Sequence, residues 1–181
     1  MQTAVLSKIA PDAKPSSLQF AKLSPKGDKI AYVYENNIYA QNLISGKIQQ
    51  LTFDGNKELI NGTFDWAYEE EFNCRDGFRW SPDGEKIAFW QIDASGIGVF
   101  NMINYTDSIY SKIIPVQYPK VGTTISSAKI GTVSLSNGNI TWMDISGNPR
   151  DNYLPFMDWA DNSNELFVQQ IPRKQTHNNV Y

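Results

Sequence analysis

Along this chain, hydrophobic positions come in short runs of β-branched and aromatic residues separated by polar turn clusters. Ile30-Ala31-Tyr32-Val33-Tyr34, Ile87-Ala88-Phe89-Trp90 and Leu166-Phe167-Val168 are three such runs. The turn clusters include Ser24-Pro25-Lys26-Gly27, Ser45-Gly46, Ser81-Pro82-Asp83-Gly84, Asn137-Gly138 and Ser146-Gly147. Proline presets φ for the second turn position, and glycine supplies the positive φ that L-residues resist. Asn137-Gly138 sits between Thr132–Leu135 and Ile140–Met143, which predicts a tight hairpin. Many short strands at close spacing predict an all-β protein.

A repeat lies inside this pattern. Leu23–Val33 (LSPKGDKIAYV) aligns without gaps on Trp80–Trp90 (WSPDGEKIAFW), and Trp159–Gln169 (WADNSNELFVQ) is a weaker third copy. After the first copy, Asn37–Ala40 and Lys47–Thr52 flank the Ser45-Gly46 turn. That succession of strands and turns is the make-up of one four-stranded propeller blade. The copies lie further apart than a blade of ~40–50 residues requires, so the blades carry insertions. The expected fold is a partial β-propeller of about three four-stranded blades; a β-sandwich with a chance repeat is the alternative. Propellers close into rings of ~4–8 blades, so residues 1–181 read as a segment of a longer propeller-bearing protein.

One stretch breaks the pattern. Leu59–Phe72 (LINGTFDWAYEEEF) neither alternates nor turns, and a short helical insertion is expected over about residues 59–75. Thr63 or Asp65 can cap it, with carboxylates following on the favourable side of the helix dipole. At about 100° per residue, Phe64, Tyr68 and Phe72 form one aromatic stripe, and Glu71 falls within about 20° of Phe64. Glu71 is therefore expected on the packed side, where a carboxylate is costly unless a cation or donor meets it. Arg75, one turn on, is the nearest candidate cation. The Glu69-Glu70-Glu71 run reads either as a solvated acidic turn or as carboxylates held ready for an ammonium group.

Composition narrows the function. With 16 Lys+Arg against 19 Asp+Glu, the net charge is −3, which argues against a nucleic-acid groove or a polybasic membrane patch. Aromatics at 13% supply ample core for a folded domain. One cysteine, Cys74, and one histidine, His177, leave no disulfide framework and no Cys- or His-based metal site, so no cofactor is expected. Cys74 reads as a packing residue and His177 as a surface residue. No apolar run approaches a membrane span, and no secretory leader follows Met1.

Asp65–Phe72 (DWAYEEEF) followed by Trp80-Ser81-Pro82-Asp83-Gly84 resembles the N-terminal β-propeller of dipeptidyl peptidase IV and its relatives, the prolyl oligopeptidase-type serine peptidases. Tyr118-Pro119-Lys120-Val121-Gly122 is similar to the family's Y-P-K-A-G stretch, and Trp142-Met143 with Gly147–Arg150 resembles bacterial members. After Gly122 the chain departs from the family's Asn-Pro, with Ile125-Ser126 in that region.

The resemblance implies a parent enzyme that removes N-terminal dipeptides, preferentially after Pro or Ala. The second and third glutamates of the run, Glu70 and Glu71, would bind the free α-amino group of a peptide substrate. The resemblance also implies a C-terminal α/β-hydrolase domain carrying the Ser, Asp and His of catalysis. No G-x-S-x-G elbow occurs in this sequence, so the chain alone is expected to be inactive. The family's carbonyl-holding arginine, from an earlier propeller stretch, has no match here. An extracytoplasmic setting follows by analogy, and unclosed blades make a homo-oligomer an expectation. The competing readings are a non-enzymatic propeller scaffold for a protein or peptide partner and a relative whose triad has decayed.

Overall fold

The computed structural model describes residues 6–181; Met1–Val5, where the absence of a leader was read, lie outside the described residues. Strands β1 (Leu18–Leu23), β2 (Lys29–Tyr34), β3 (Asn37–Asn42) and β4 (Ile48–Gln50) form sheet I, a four-stranded antiparallel meander. Strands β5 (Leu59–Asn61) and β6 (Phe78–Trp80) lie on either side, in sequence, of helix α1 (Trp66–Phe72). Then come β7 (Lys86–Asp93), the pair β8 (Val99–Asn104) and β9 (Lys112–Gln117), β10 (Ser127–Ser134) and β11 (Ile140–Trp142). Sheet II has the order β11-β10-β7-β5, with β6 also on β7. Sheet III comprises β12 (Asn152–Trp159), β13 (Leu166–Pro172) and β14 (Asn179–Val180), while β8 and β9 make a separate ribbon.

Each copy of the repeat is a hairpin at the same place in its sheet. Ser24 and Ser81 begin the turns β1–β2 and β6–β7, and both turns close through a serine N–H to the carbonyl of the following lysine, Lys29 or Lys86, at 2.9 Å. Gly27 and Gly84 adopt φ of 69° and 71°, as the S-P-x-G pattern requires. In the third copy, Ala160 N–H closes on the Glu165 carbonyl at 2.9 Å. The predicted Asn137-Gly138 hairpin joins β10 to β11, with Gly138 at φ 72°.

The expected insertions are visible. Strands β5 and β6 occupy one edge of β7 end to end, Asn61 opposite Gln91 and Phe78 opposite Phe89. They are one strand position, opened at Gly62 and Gly77 to let the helix out. The backbone closes the neck: Gly77 N–H donates to Gly62 O, Gly62 N–H to Trp90 O and Trp90 N–H to Gly77 O, at 2.9–3.0 Å. A Cβ on Gly77 would meet the Gly62 and Thr63 backbone at 2.7 Å, so only glycine fits. The helical insertion is therefore narrower than the expected 59–75: Leu59–Asn61 is strand, and only Trp66–Phe72 is helix.

Between the sheets lie two cores. Ala31, Val33, Ile38 and Leu51 of the sheet I unit meet Phe78, Ile87, Phe89 and Val133 of sheet II. Ala88, Trp90, Ile92 and Ile130 of sheet II meet Leu154, Met157 and Val168 of sheet III, together with Phe64 and Tyr68. Alternate residues of β7 thus serve opposite cores, which is why the strand reads as a continuous apolar run.

Candidate functional site

Helix α1 is fixed at both ends. Asp65, at φ −86° and ψ 174°, caps it by accepting the Tyr68 N–H at 3.3 Å, and Asn73 closes it in a left-handed conformation. The aromatic stripe packs as expected. Phe64 stacks on Tyr68 (5.5 Å between centroids) and meets Trp90 (5.2 Å), while Phe72 packs on Tyr153 (4.9 Å). Tyr68 is wholly buried, and its hydroxyl accepts the Leu154 N–H at 3.0 Å, tying the helix to sheet III. Burial pushes its phenol far above the ordinary tyrosine range. Tyr68 is a structural anchor.

Glu71 does not lie on the packed side. Both Glu70 and Glu71 are exposed, and Glu69 is half-buried. Glu71 sits about 60° from Tyr68 around the helix, at the flank of the aromatic stripe, and its side chain is exposed there. Among the described residues no ion pair engages Glu69, Glu70, Glu71 or Arg75. The Glu run is therefore not neutralised by Arg75, whose carbonyl instead accepts from the Thr63 hydroxyl at 3.2 Å.

Glu71 lines a cavity of about 320 Å³ between the helix, the Pro119–Gly122 loop and sheet III. Trp66, Phe72 and Tyr153 form its aromatic walls, and Lys120 and Arg173 add positive charge. Glu70 stands outside this cavity, so the two carboxylates do not share it. Burial raises the Tyr153 phenol; Arg173 works against that rise, and the carboxylates of Glu71 and Asp65 add to it. Lys120 belongs to the recognised Tyr118–Gly122 stretch, but Arg173 is a hundred residues from the helix and no sequence signal pointed to it. The Tyr118 ring packs against Trp66, 4.3 Å between centroids and tilted by 49°, so that stretch borders the helix.

Cys74 packs as read: its thiol donates to the Pro155 carbonyl at 3.3 Å, and burial pushes its pKa up to about 11. Such a thiol is a poor nucleophile at neutral pH. His177 is exposed at the end of the chain, beside the Thr176 hydroxyl.

Comparison with known proteins agrees with this architecture. The family model of the dipeptidyl peptidase IV (DPP IV) N-terminal region matches residues 1–181. Dipeptidyl aminopeptidase B of Saccharomyces cerevisiae is 39% identical over 150 residues, 79% of this chain and 18% of that protein. The inactive dipeptidyl peptidase 10 of Mus musculus is 34% identical over 171 residues, 91% of this chain and 21% of that protein. The crystal structure of Porphyromonas gingivalis dipeptidyl peptidase 4 superposes with a TM-score of 0.85 at 29% identity, over 91% of this chain and 23% of that one. The chain thus spans about a fifth of the length of the curated relatives it matches. With a match over its whole length and a common sheet architecture, this chain belongs to the dipeptidyl peptidase IV N-terminal region family.

Proposed function

We propose that this chain is the substrate-anchoring part of a serine exopeptidase that releases N-terminal dipeptides, preferentially after Pro or Ala. One observation carries the reading: Glu70 and Glu71 are exposed, and among the described residues free of ion pairs, on a helix locked to two sheets. Adjacent carboxylates not engaged in ion pairs suit a protonated α-amine, and each charge-assisted hydrogen bond contributes about 1.5–3 kcal/mol. Anchoring the amine sets which peptide bond reaches a nucleophile carried elsewhere in the parent, on an α/β-hydrolase domain, and the propeller gates the approach. The chain alone, lacking a nucleophile elbow, has no peptidase activity. The parent works outside the cytoplasm.

The test is Glu70→Ala and Glu71→Ala in the full-length protein with a Gly-Pro chromogenic substrate. Each should lower kcat/KM by about a hundredfold or more, because a mispositioned substrate loses turnover as well as binding. Unchanged hydrolysis by both variants removes the proposal. Parent activity should also fall above about pH 8, as the substrate amine loses its proton.

A second reading has one observation in its favour: the Mus musculus relative, similar over 91% of this chain, is named inactive. Likeness in this region is therefore compatible with a scaffold that binds a protein or peptide without cleaving it. A full-length protein that binds peptides with free N-termini but hydrolyses none would establish that reading. Self-association belongs to either one, since the β8–β9 ribbon exposes Val99, Phe100, Met102, Ile103, Ile113 and Ile114 to solvent.

A further inference from the structure

The cavity beside helix α1 holds charges of both signs that do not neutralise one another. Glu71, Lys120 and Arg173 all line it, yet among the described residues none of the three takes part in an ion pair. Arg173 stands apart from the other half-buried arginines. Arg79 pairs with Asp76 at 3.3 Å and Arg150 with Asp93 at 2.9 Å. Arg173 instead donates from one amino group to the Thr123 carbonyl, which pins the guanidinium to the cavity wall without compensating its charge. A guanidinium carries five N–H donors, so most of them remain for a ligand.

Anchoring of an amine by the two glutamates limits what can enter. Glu71 lies on the cavity lining and Glu70 outside it, so an ammonium group held between them sits at the mouth. In a peptide, the first side chain springs from the same carbon as that amine, and it is the group within reach of the interior. Once the ammonium is matched to Glu71, the lining offers Lys120 and Arg173 and no further acidic residue. A basic side chain would be repelled there, and a neutral one would leave both cations unmatched. Trp66, Phe72 and Tyr153 supply walls for the carbon stem of whatever enters.

We propose that this cavity is a specificity subsite for the first residue of the peptide and that it selects an acidic side chain. Arg173 meets the carboxylate with its planar fork, and Lys120, exposed at the opposite rim of the sequence motif, adds a mobile point charge. The inference rests on the amine-anchoring reading above and adds to it a charge preference that Glu70 and Glu71 do not supply.

Isothermal titration calorimetry of the full-length protein tests this with the free dipeptides Glu-Pro, Gln-Pro and Lys-Pro, whose binding is read without turnover. Glu-Pro should bind about tenfold more tightly than Gln-Pro, the difference between a charge-assisted and a neutral hydrogen bond. Lys-Pro should bind more weakly than either. Arg173→Gln and Lys120→Gln should each reduce the Glu-Pro to Gln-Pro affinity ratio severalfold. That ratio is read within each variant, so a general loss of affinity cancels. Equal affinities for Glu-Pro and Gln-Pro in the parent overturn the proposal, as does a preference that both variants leave intact.

Acetylating the dipeptide amine separates this proposal from the reading beneath it. If N-acetyl-Gln-Pro binds as tightly as Gln-Pro, the amine anchor itself is removed, and the subsite with it. If acetylation abolishes binding but Glu-Pro has no advantage over Gln-Pro, the anchor stands and the acidic subsite alone is removed. Failure of all three free dipeptides to bind overturns both.

Discussion

Asp65 serves two opposed ends. One carboxylate oxygen caps the helix through Tyr68 N–H, while the other is buried without a partner. Burial raises its pKa above the ordinary aspartate range, against the pull of the nearby Ser126 hydroxyl and of the capping amide. The folded state therefore holds this proton more tightly than the unfolded chain does. Its contribution to stability is full at low pH and is lost as pH rises through the raised pKa. Asp93 behaves the other way. Burial alone would raise it, but hydrogen bonds from Ser95 and the Arg150 guanidinium, 2.9 Å away, bring it below the ordinary range. Its contribution is present at neutral pH and lost on acidification. Asp65→Asn keeps a capping oxygen and removes the buried charge, so it should gain stability relative to the parent between pH 5 and pH 8 in urea unfolding. Asp65→Ala should cost about 1 kcal/mol through loss of the cap. The cap and the aromatic stripe were legible because both are local. Glu71's exposure was not, since it lies at the flank of the stripe and depends on which distant segments pack beside the helix.

At the scale of elements, the helix is held by tertiary contacts more than by its own propensity. A helix as short as Trp66–Phe72 is marginal in water. Its tie to sheet III is the Leu154 N–H on the Tyr68 hydroxyl, both residues being buried. Tyr68→Phe preserves the ring stack but leaves that N–H without an acceptor, so it should cost about 1–3 kcal/mol in chemical denaturation. A loss under 0.5 kcal/mol would show that Leu154 finds another partner. The hairpins of the repeat could be read from their turn residues alone. The split strand β5/β6 could not, because two pieces of three residues are too short to display alternation.

At the scale of the molecule, the β8–β9 ribbon is the element that the inside–outside rule does not explain. Every residue of β8 up to Ile103 is exposed, as is β9 from Lys112 to Pro115, although most of them are apolar. Ile103 and Ile113 pair across the ribbon and are each 66% exposed. The double variant Ile103→Lys, Ile113→Lys should shift an associating protein toward monomer in light scattering without lowering its melting temperature, because neither side chain contributes to a core. An unchanged mass would place the association elsewhere. The expectation of self-association rests on strand edges left open by unclosed blades; the apolar ribbon is a separate exposed surface.

Local chemistry determined what the sequence reveals by itself: the short strands, the Ser-Pro and Asn-Gly turns, the repeat, the capped helix and the acidic run upon it. Each depends on residues within a few positions of one another, where backbone sterics and nearest-neighbour hydrogen bonds decide the outcome. Only the tertiary structure brings Lys120 and Arg173 beside Glu71, turns both glutamates outward and hangs the Trp80 and Trp159 indoles from the preceding sheet. Those arrangements join residues far apart in the chain, and their geometry is set by how the sheets pack, which periodicity along the sequence does not encode.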